Sequence, residues 1–139
     1  MRLLFIAFIF LGGCAPSSDV IYLKGLDAYN KQQYLEAAPL IRQAAEKKQS
    51  DAMAVLGSMY LFGRGVPFDG AQAEKWLLRG YEAGNKDAGS ILGMMYATGK
   101  GVPKDHQKAI SYLTQAADRG DEKALKMLDI VLQNGRSKR

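Results

Sequence analysis

Few residues of this 139-residue chain could carry out catalysis. His106 is the only histidine and lies beside Asp105 at a predicted helix start, where a surface position is expected rather than a place in a serine–histidine–aspartate set. Cys14 is the only cysteine, so no cysteine pair can form within the chain. A zinc site would need several such ligands. The glycine-rich stretches also lack the Gly-Lys-Ser/Thr sequence that binds phosphate. We therefore predict a protein that is not an enzyme and that holds no metal and no cofactor.

Two other groups of side chains could form a site. Asp118, Asp121 and Glu122 lie close together near a predicted turn, where carboxylates usually cap helices or face solvent, although a paired acid and base stays open as an alternative. Five methionines fall on predicted helices, which favours packing or an adaptable binding surface over a soft-metal site. These methionines are Met53, Met59, Met94, Met95 and Met127.

The chain begins with a sequence typical of protein export. A single positive residue, Arg2, is followed by an uninterrupted apolar run over residues 3–11. A helix that crosses a bilayer needs about 20 apolar residues, so this run is too short to span the membrane and has the length of a signal-peptide core. We predict that residues 1–13 are a signal peptide.

The apolar run ends in Leu11, Gly12, Gly13 and Cys14, which resembles the bacterial lipobox. The resemblance implies cleavage before Cys14 and attachment of acyl chains to its thiol, with residues 14–19 as a short tether. No aspartate follows the cysteine, and by analogy this places the lipid anchor in the outer membrane of a Gram-negative cell, on its periplasmic face. The alternative is an unmodified thiol beside a signal peptide that happens to end in glycines.

A 36-residue repeat organises the rest of the chain, because residues 52–88 and 88–124 align without a gap. In each unit an apolar stripe at helical spacing is followed by a glycine-containing loop, a proline, an aspartate suited to cap a helix, and a second apolar stripe. Each unit therefore predicts a helix–loop–helix hairpin that must stack on its neighbours. The shared residues of the first unit are Leu56, Gly57, Tyr60, Gly63, Gly65, Asp69, Ala73, Trp76 and Gly84. Their counterparts are Leu92, Gly93, Tyr96, Gly99, Gly101, Asp105, Ala109, Tyr112 and Gly120.

This motif resembles the Sel1-like repeat, a relative of the tetratricopeptide repeat with a longer loop. The resemblance covers about residues 52–124 and implies an all-α, right-handed solenoid of stacked hairpins. We predict a repeat domain over residues 20–135, followed by a basic tail at 136–139. Its parts are hairpins at about 20–48, 51–84 and 87–120 and a capping helix at 122–133.

The first hairpin departs from the motif because the Gly-x-Gly-Val-Pro loop is missing from it. We aligned Tyr29 with Tyr60, which predicts that five loop residues are deleted. The repeat thus begins with a unit closer to an ordinary tetratricopeptide hairpin.

Solenoids of this kind present a concave groove lined mainly by the first helix of each hairpin. We predict that a peptide or helix of another protein docks there, on residues that could equally pack between repeats. The formal net charge of +5 comes from interleaved acids and bases, which does not indicate nucleic-acid binding. The predicted groove residues are Ser58, Leu61, Met94, Ala97 and Ile130.

We thus predict a monomeric, membrane-anchored periplasmic interaction module that serves as a scaffold or adaptor of an envelope assembly. Sel1-like lipoproteins that neutralise a periplasm-targeted toxic effector, such as a lipase, make an immunity role the alternative. Peptidoglycan binding without catalysis also stays open.

Overall fold

The computed structural model describes residues 15–136, which form seven α-helices and no β-strand. The predicted lipobox, Leu11 to Cys14, and the tail beyond Arg136 lie outside these residues. Within them, no helix is long and apolar enough to cross a membrane. The helices are α1 (Ser18–Asn30), α2 (Tyr34–Glu46), α3 (Ser50–Phe62), α4 (Gly70–Glu82), α5 (Lys86–Thr98), α6 (His106–Asp118) and α7 (Glu122–Arg136).

Each helix packs mainly against its neighbours in sequence. The pairs α1–α2, α3–α4 and α5–α6 form three antiparallel hairpins, which stack through α2–α3 and α4–α5 contacts, and α7 closes the stack against α5 and α6. This arrangement confirms the predicted all-α solenoid of stacked hairpins. The capping helix is longer than predicted and reaches Arg136.

Local sequence explains where the helices of the second and third hairpins begin and end. The Asp69 carboxylate accepts a hydrogen bond from the Gln72 amide at 3.0 Å, and Asp105 caps α6 in the same way. Gly63 and Gly99 end α3 and α5 in the left-handed conformation, with φ of 63° and 75°. The loop inside each of these hairpins is therefore bounded by a helix-ending glycine and a capping aspartate.

Glycine in the first helix of each hairpin permits close contact with the second helix. A Cβ atom on Gly57 would lie 2.6 Å from Leu77 Cγ, and one on Gly93 would lie 2.5 Å from Leu113 Cγ. Because Leu77 and Leu113 are fully buried, neither leucine can move aside without cost. The glycines thus allow the short spacing between the two helices of each hairpin.

The first hairpin obeys the same rule, and this corrects the predicted alignment. A Cβ atom placed on Gly25 would lie 2.8 Å from Ile41 Cδ1, so Gly25 makes the contact that Gly57 makes in the second hairpin. Matching Tyr29 to Tyr60 would instead put Leu26 at that position. The α1–α2 connection is 31–33 and the α3–α4 connection is 63–69, so four residues are deleted rather than five. Matching Tyr29 to Tyr60 was wrong because the helix contact, not the tyrosine, fixes the register.

The long loops rest on the hairpin that precedes them. Gly65 (φ 70°) lies against the backbone carbonyl of Tyr34 at the start of α2, where a Cβ atom would clash. Gly101 (φ 77°) lies against Gly70 at the start of α4 in the same manner. Each loop therefore joins two hairpins as well as the two helices it connects.

Candidate functional site: the concave groove

A groove of about 910 Å³ runs across the first helices of the hairpins, α1, α3 and α5, and reaches α7. The first helices line it as predicted, with half-buried apolar side chains along its floor. These apolar residues are Val55, Ile91, Met94 and Met127, together with the small side chain of Ala54.

The predicted groove residues divide between three places. Ser58 and Met94 line the groove. Leu61 does not, because it is fully buried beneath the α5–α6 loop, near Gly101, and its assignment to the groove was wrong. Ala97 and Ile130 line an adjoining apolar depression between α5 and α7, which shares Met94 and Met127 with the groove.

The predicted stripe of each first helix is rotated about the helix axis relative to the stripe that lines the groove. The prediction used the stripe through residues 54, 58 and 61, whereas the groove also takes Asp51 and Val55 on the other side of that stripe. The repeat contained a signal for this choice. Positions 51, 87 and 123, and positions 55, 91 and 127, all line the groove at the 36-residue spacing.

One edge of the groove carries charge at successive repeat positions. Asp51 and Asp87 are the second residues of α3 and α5, and Lys123 takes the same position in α7. The Asn85 side-chain amide donates to Asp51 Oδ1 at 2.7 Å, and Lys123 Nζ lies 3.6 Å from Asp87 Oδ1. We call Asp51, Asp87 and Lys123 the charged row.

The groove's serines do not offer free hydroxyl donors. Ser58 donates to the Ala54 carbonyl at 3.0 Å, and Ser90 donates to the Asp87 carbonyl at 2.9 Å. Both hydroxyl protons are therefore used within their own helices. A ligand meets a floor that is apolar and that accepts hydrogen bonds.

Two tyrosines of α1 close the groove at its first hairpin. Burial, and then the nearby carboxylates of Asp51 and Asp87, raise the pKa of Tyr22 above its ordinary value, so its hydroxyl stays protonated. The Tyr29 hydroxyl accepts a hydrogen bond from the Arg64 guanidinium at 2.8 Å, and this contact raises the pKa of Arg64. The groove lining is therefore acidic at the starts of α3 and α5, and Arg64 contacts Tyr29 from outside the lining residues.

The side chains considered for catalysis are dispersed or have structural roles. The Asp121 carboxylate caps α7 by accepting a hydrogen bond from the Lys123 backbone amide at 2.9 Å. Asp118 and Glu122 are exposed at helix ends. His106 is half-buried at the start of α6, next to Gly135. Over residues 15–136, no three histidine, cysteine or acidic side chains come together as a metal site would require.

The methionines divide between the core and the groove. Met59 and Met95 are fully buried and Met53 is nearly so, whereas Met94 and Met127 line the groove. Packing is therefore confirmed for the three buried methionines, and an adaptable binding surface stays a prediction for the two that line the groove.

The Sel1 repeat family model matches residues 50–85 and 90–121. No curated protein sequence matches the chain. Among solved structures, a Sel1 repeat protein from Oxalobacter formigenes is 29% identical with a TM-score of 0.73, and covers 80% of this chain and 47% of its own. A protective antigen of uropathogenic Escherichia coli with an SLR fold is also 29% identical, with a TM-score of 0.78.

The antigen match covers 85% of this chain and 26% of the antigen, so the chain spans about half and about a quarter of these two structures. Cysteine-rich protein B of Helicobacter pylori shares the fold at 20% identity and a TM-score of 0.62, with 84% of this chain and 99% of that one covered. The matched repeats, the glycine contacts within each hairpin and these structures agree. The chain is a member of the Sel1 repeat family.

Proposed function

We propose that this protein is a membrane-anchored periplasmic interaction module that binds a peptide or helix of another protein in its concave groove. Sel1 repeats generally form protein–protein interaction modules. The observation that carries the proposal is an open groove of about 910 Å³ whose apolar floor is accessible from solvent.

The shape of the groove suits a chain segment better than a small molecule. Small-molecule sites of comparable volume are usually enclosed on most sides and bury most of their ligand. Here the wall is a row of parallel first helices, and the floor extends from Val55 to Met127. An apolar strip flanked by charge is the surface on which an amphipathic helix or an extended peptide docks.

The proposed anchor is Cys14, within the lipobox-like sequence. The described chain supports a position close to the membrane, because the tether folds back at once on the first hairpin. Lys47 Nζ donates to the Pro16 carbonyl at 3.3 Å, and the Ser17 side chain caps α1. Stable anchoring requires more than one acyl chain, which a lipoprotein cysteine carries.

The experiment is a pull-down from detergent-solubilised envelopes with the full chain tagged at its C-terminus. The groove variant is Ser58→Glu with Met94→Glu, and the matched control is Leu35→Glu with Phe68→Glu. Leu35 and Phe68 are 82% and 58% exposed and lie outside the groove. One dominant partner lost only in the groove variant is the expected result, and equal recovery with both variants would refute the groove as the binding site.

The anchor is tested separately with Cys14→Ser, which should move the protein from the membrane fraction to the soluble fraction. The captured partner then decides the biological role. A component of an envelope assembly would establish a scaffold, and a toxic enzyme delivered to the periplasm would establish an immunity protein.

A further inference from the structure

We propose that the groove selects a segment that carries a lysine or arginine, with the cation held at Asp51 and Asp87 and the adjacent apolar side chains on Val55 and Ile91. The proposal rests on the proposed function and adds the chemistry of the partner. It is carried by the charged row together with the apolar floor beside it.

The sign of the groove opposes that of the protein. The chain has a formal net charge of +5, yet the groove lining contains two carboxylates, Asp51 and Asp87, and one ammonium, Lys123. A surface of opposite sign to the rest of the molecule steers ligands by charge and disfavours acidic partners. The contrast therefore favours a cationic ligand at the groove.

Asp51 retains capacity for a ligand. Its carboxylate accepts one hydrogen bond, from the Asn85 amide, and no lysine or arginine of residues 15–136 forms a salt bridge with it. An ionised carboxylate offers about four lone-pair sites, so acceptors remain available. Tyr22 lines the same groove, and the two carboxylates contribute to the raised pKa of its hydroxyl.

Lys123 shows that a cation fits on the row. It occupies the repeat position of Asp51 and Asp87, and its ammonium lies 3.6 Å from Asp87 Oδ1. Both side chains are well exposed, 76% and 61%, so their contact contributes at most about 1 kcal/mol and a stronger ligand can replace it. The protein thus contains a weak internal example of the proposed contact.

Acids in the first turn of a helix also interact favourably with the helix dipole, which would explain Asp51 and Asp87 without a ligand. Asp19 and Glu122 provide the comparison, since they lie in the first turns of α1 and α7 but do not line the groove. A variant of these two acids changes the net charge and the helix dipoles as much as a variant of the groove acids. It is therefore a matched control.

The experiment uses the full lipidated chain, purified in a nonionic detergent, and three series of labelled synthetic peptides. The peptides share one amphipathic pattern of leucine and alanine, and their polar positions are lysine, glutamine or glutamate. We expect fluorescence anisotropy to show about tenfold tighter binding of the lysine series than of the glutamine series at low salt. The preference should shrink in about 1 M salt, where the screening length is about 3 Å.

The variant Asp51→Asn with Asp87→Asn should bind the lysine and glutamine series equally, and Asp19→Asn with Glu122→Gln should keep the wild-type preference. Thermal melts followed by circular dichroism verify that both variants fold. The proposal is overturned if the wild type fails to bind the lysine series, prefers glutamate, or loses its preference equally in both double variants. Concentration-dependent dimerisation abolished only in the groove-acid variant would also overturn it, by assigning the row to a second copy.

Failure of this proposal can be told from failure of the proposed function. If Ser58→Glu with Met94→Glu abolishes capture of the envelope partner and the groove-acid variant captures it normally, the groove binds a partner without selecting a cation. If neither variant changes capture or peptide binding, the groove is not the binding site and both proposals fail.

Discussion

The helices α3 and α7 occupy the same position in the repeat but have different surroundings. α3 packs against its hairpin partner α4 and against the hairpins on either side, and eight of its residues are buried. α7 packs mainly against α5 and α6, and two of its residues are buried. Leu125 and Ile130 of α7 are more than half exposed.

The difference shows what the repeat motif encodes. The glycine that lets a second helix approach, Gly57 in α3 and Gly93 in α5, is replaced by Asp129 in α7. Within the described residues, α7 has no second helix to approach it, so the small residue is not needed there. The motif therefore encodes contacts within a hairpin rather than an intrinsic preference of the first helix.

The largest expected effect compares the motif leucines. Leu56 is fully buried and Leu128 is half-buried, so Leu56→Ala should cost about 2–5 kcal/mol and Leu128→Ala less than half of that. The free energy of unfolding in urea measures both. Equal losses would contradict the view that α7 is a lightly packed end cap.

A smaller effect is expected at the glycine position. Gly57→Ala places a methyl group against Leu77, and overpacking of about 1–3 kcal/mol outweighs the gain of about 1 kcal/mol in helix propensity. In α7, Asp129→Ala should be neutral or raise stability by a few tenths of a kcal/mol, because Asp129 is exposed and contacts only Gln133. Thermal melts give the sign of each change, and a stabilising Gly57→Ala would break the comparison.

The two residues that precede α5 and α7 differ in a similar way. Asn85 accepts from the Ala88 amide through its oxygen and donates to Asp51 through its nitrogen, whereas the second carboxylate oxygen of Asp121 is buried without a partner. An unsatisfied buried oxygen costs about 1–3 kcal/mol.

Asp87 holds the repeat position of Asp51, so the amide introduced by Asp121→Asn has the same kind of acceptor that Asn85 has in Asp51. We therefore expect Asp121→Asn to raise the free energy of unfolding by about 1 kcal/mol, while Asn85→Asp, which places two carboxylates together, lowers it by a similar amount. Urea titrations of the two exchanged variants measure both changes. A destabilising Asp121→Asn would mean that the carboxylate has a partner of its own.

The smallest effect concerns the exposed pair of Lys123 and Asp87. Lys123→Ala should change stability by less than about 0.5 kcal/mol, because both side chains face solvent. Thermal melts measure this change. A loss of more than about 1 kcal/mol would show that the pair, and not the apolar contacts of Val131 and Ala124, holds α7 on the stack.

The sequence predicted the hairpins well because their determinants are local and repeated. Capping aspartates and helix-ending glycines recur every 36 residues, and each acts within a few positions of its own place in the chain. The alignment of the first hairpin failed because a single tyrosine carried it. The contact of Gly25 with Ile41, which fixes the register, joins two helices and is visible only in three dimensions.

The groove was predicted less well than the fold. The helices that line it were identified, but the exposed stripe of a helix depends on how the next hairpin packs. Leu61 was predicted to line the groove, yet the α5–α6 loop of the next hairpin covers it at Gly101. The charged row followed the repeat spacing and could have been found by asking which positions change type from one repeat to the next.

The contact of each loop with the preceding hairpin has a consequence for how the protein folds. Side-chain hydrogen bonds between successive hairpins join residues 22 to 38 positions apart, so none requires a distant part of the chain to be in place. Chains whose contacts are this local fold quickly, and repeat arrays grow outward from whichever unit forms first. The α3–α4 loop contacts α2 and the α5–α6 loop contacts α4, so the central hairpin is joined to both of its neighbours. The capping helix α7 packs on one side of the stack, and we expect it to fray first.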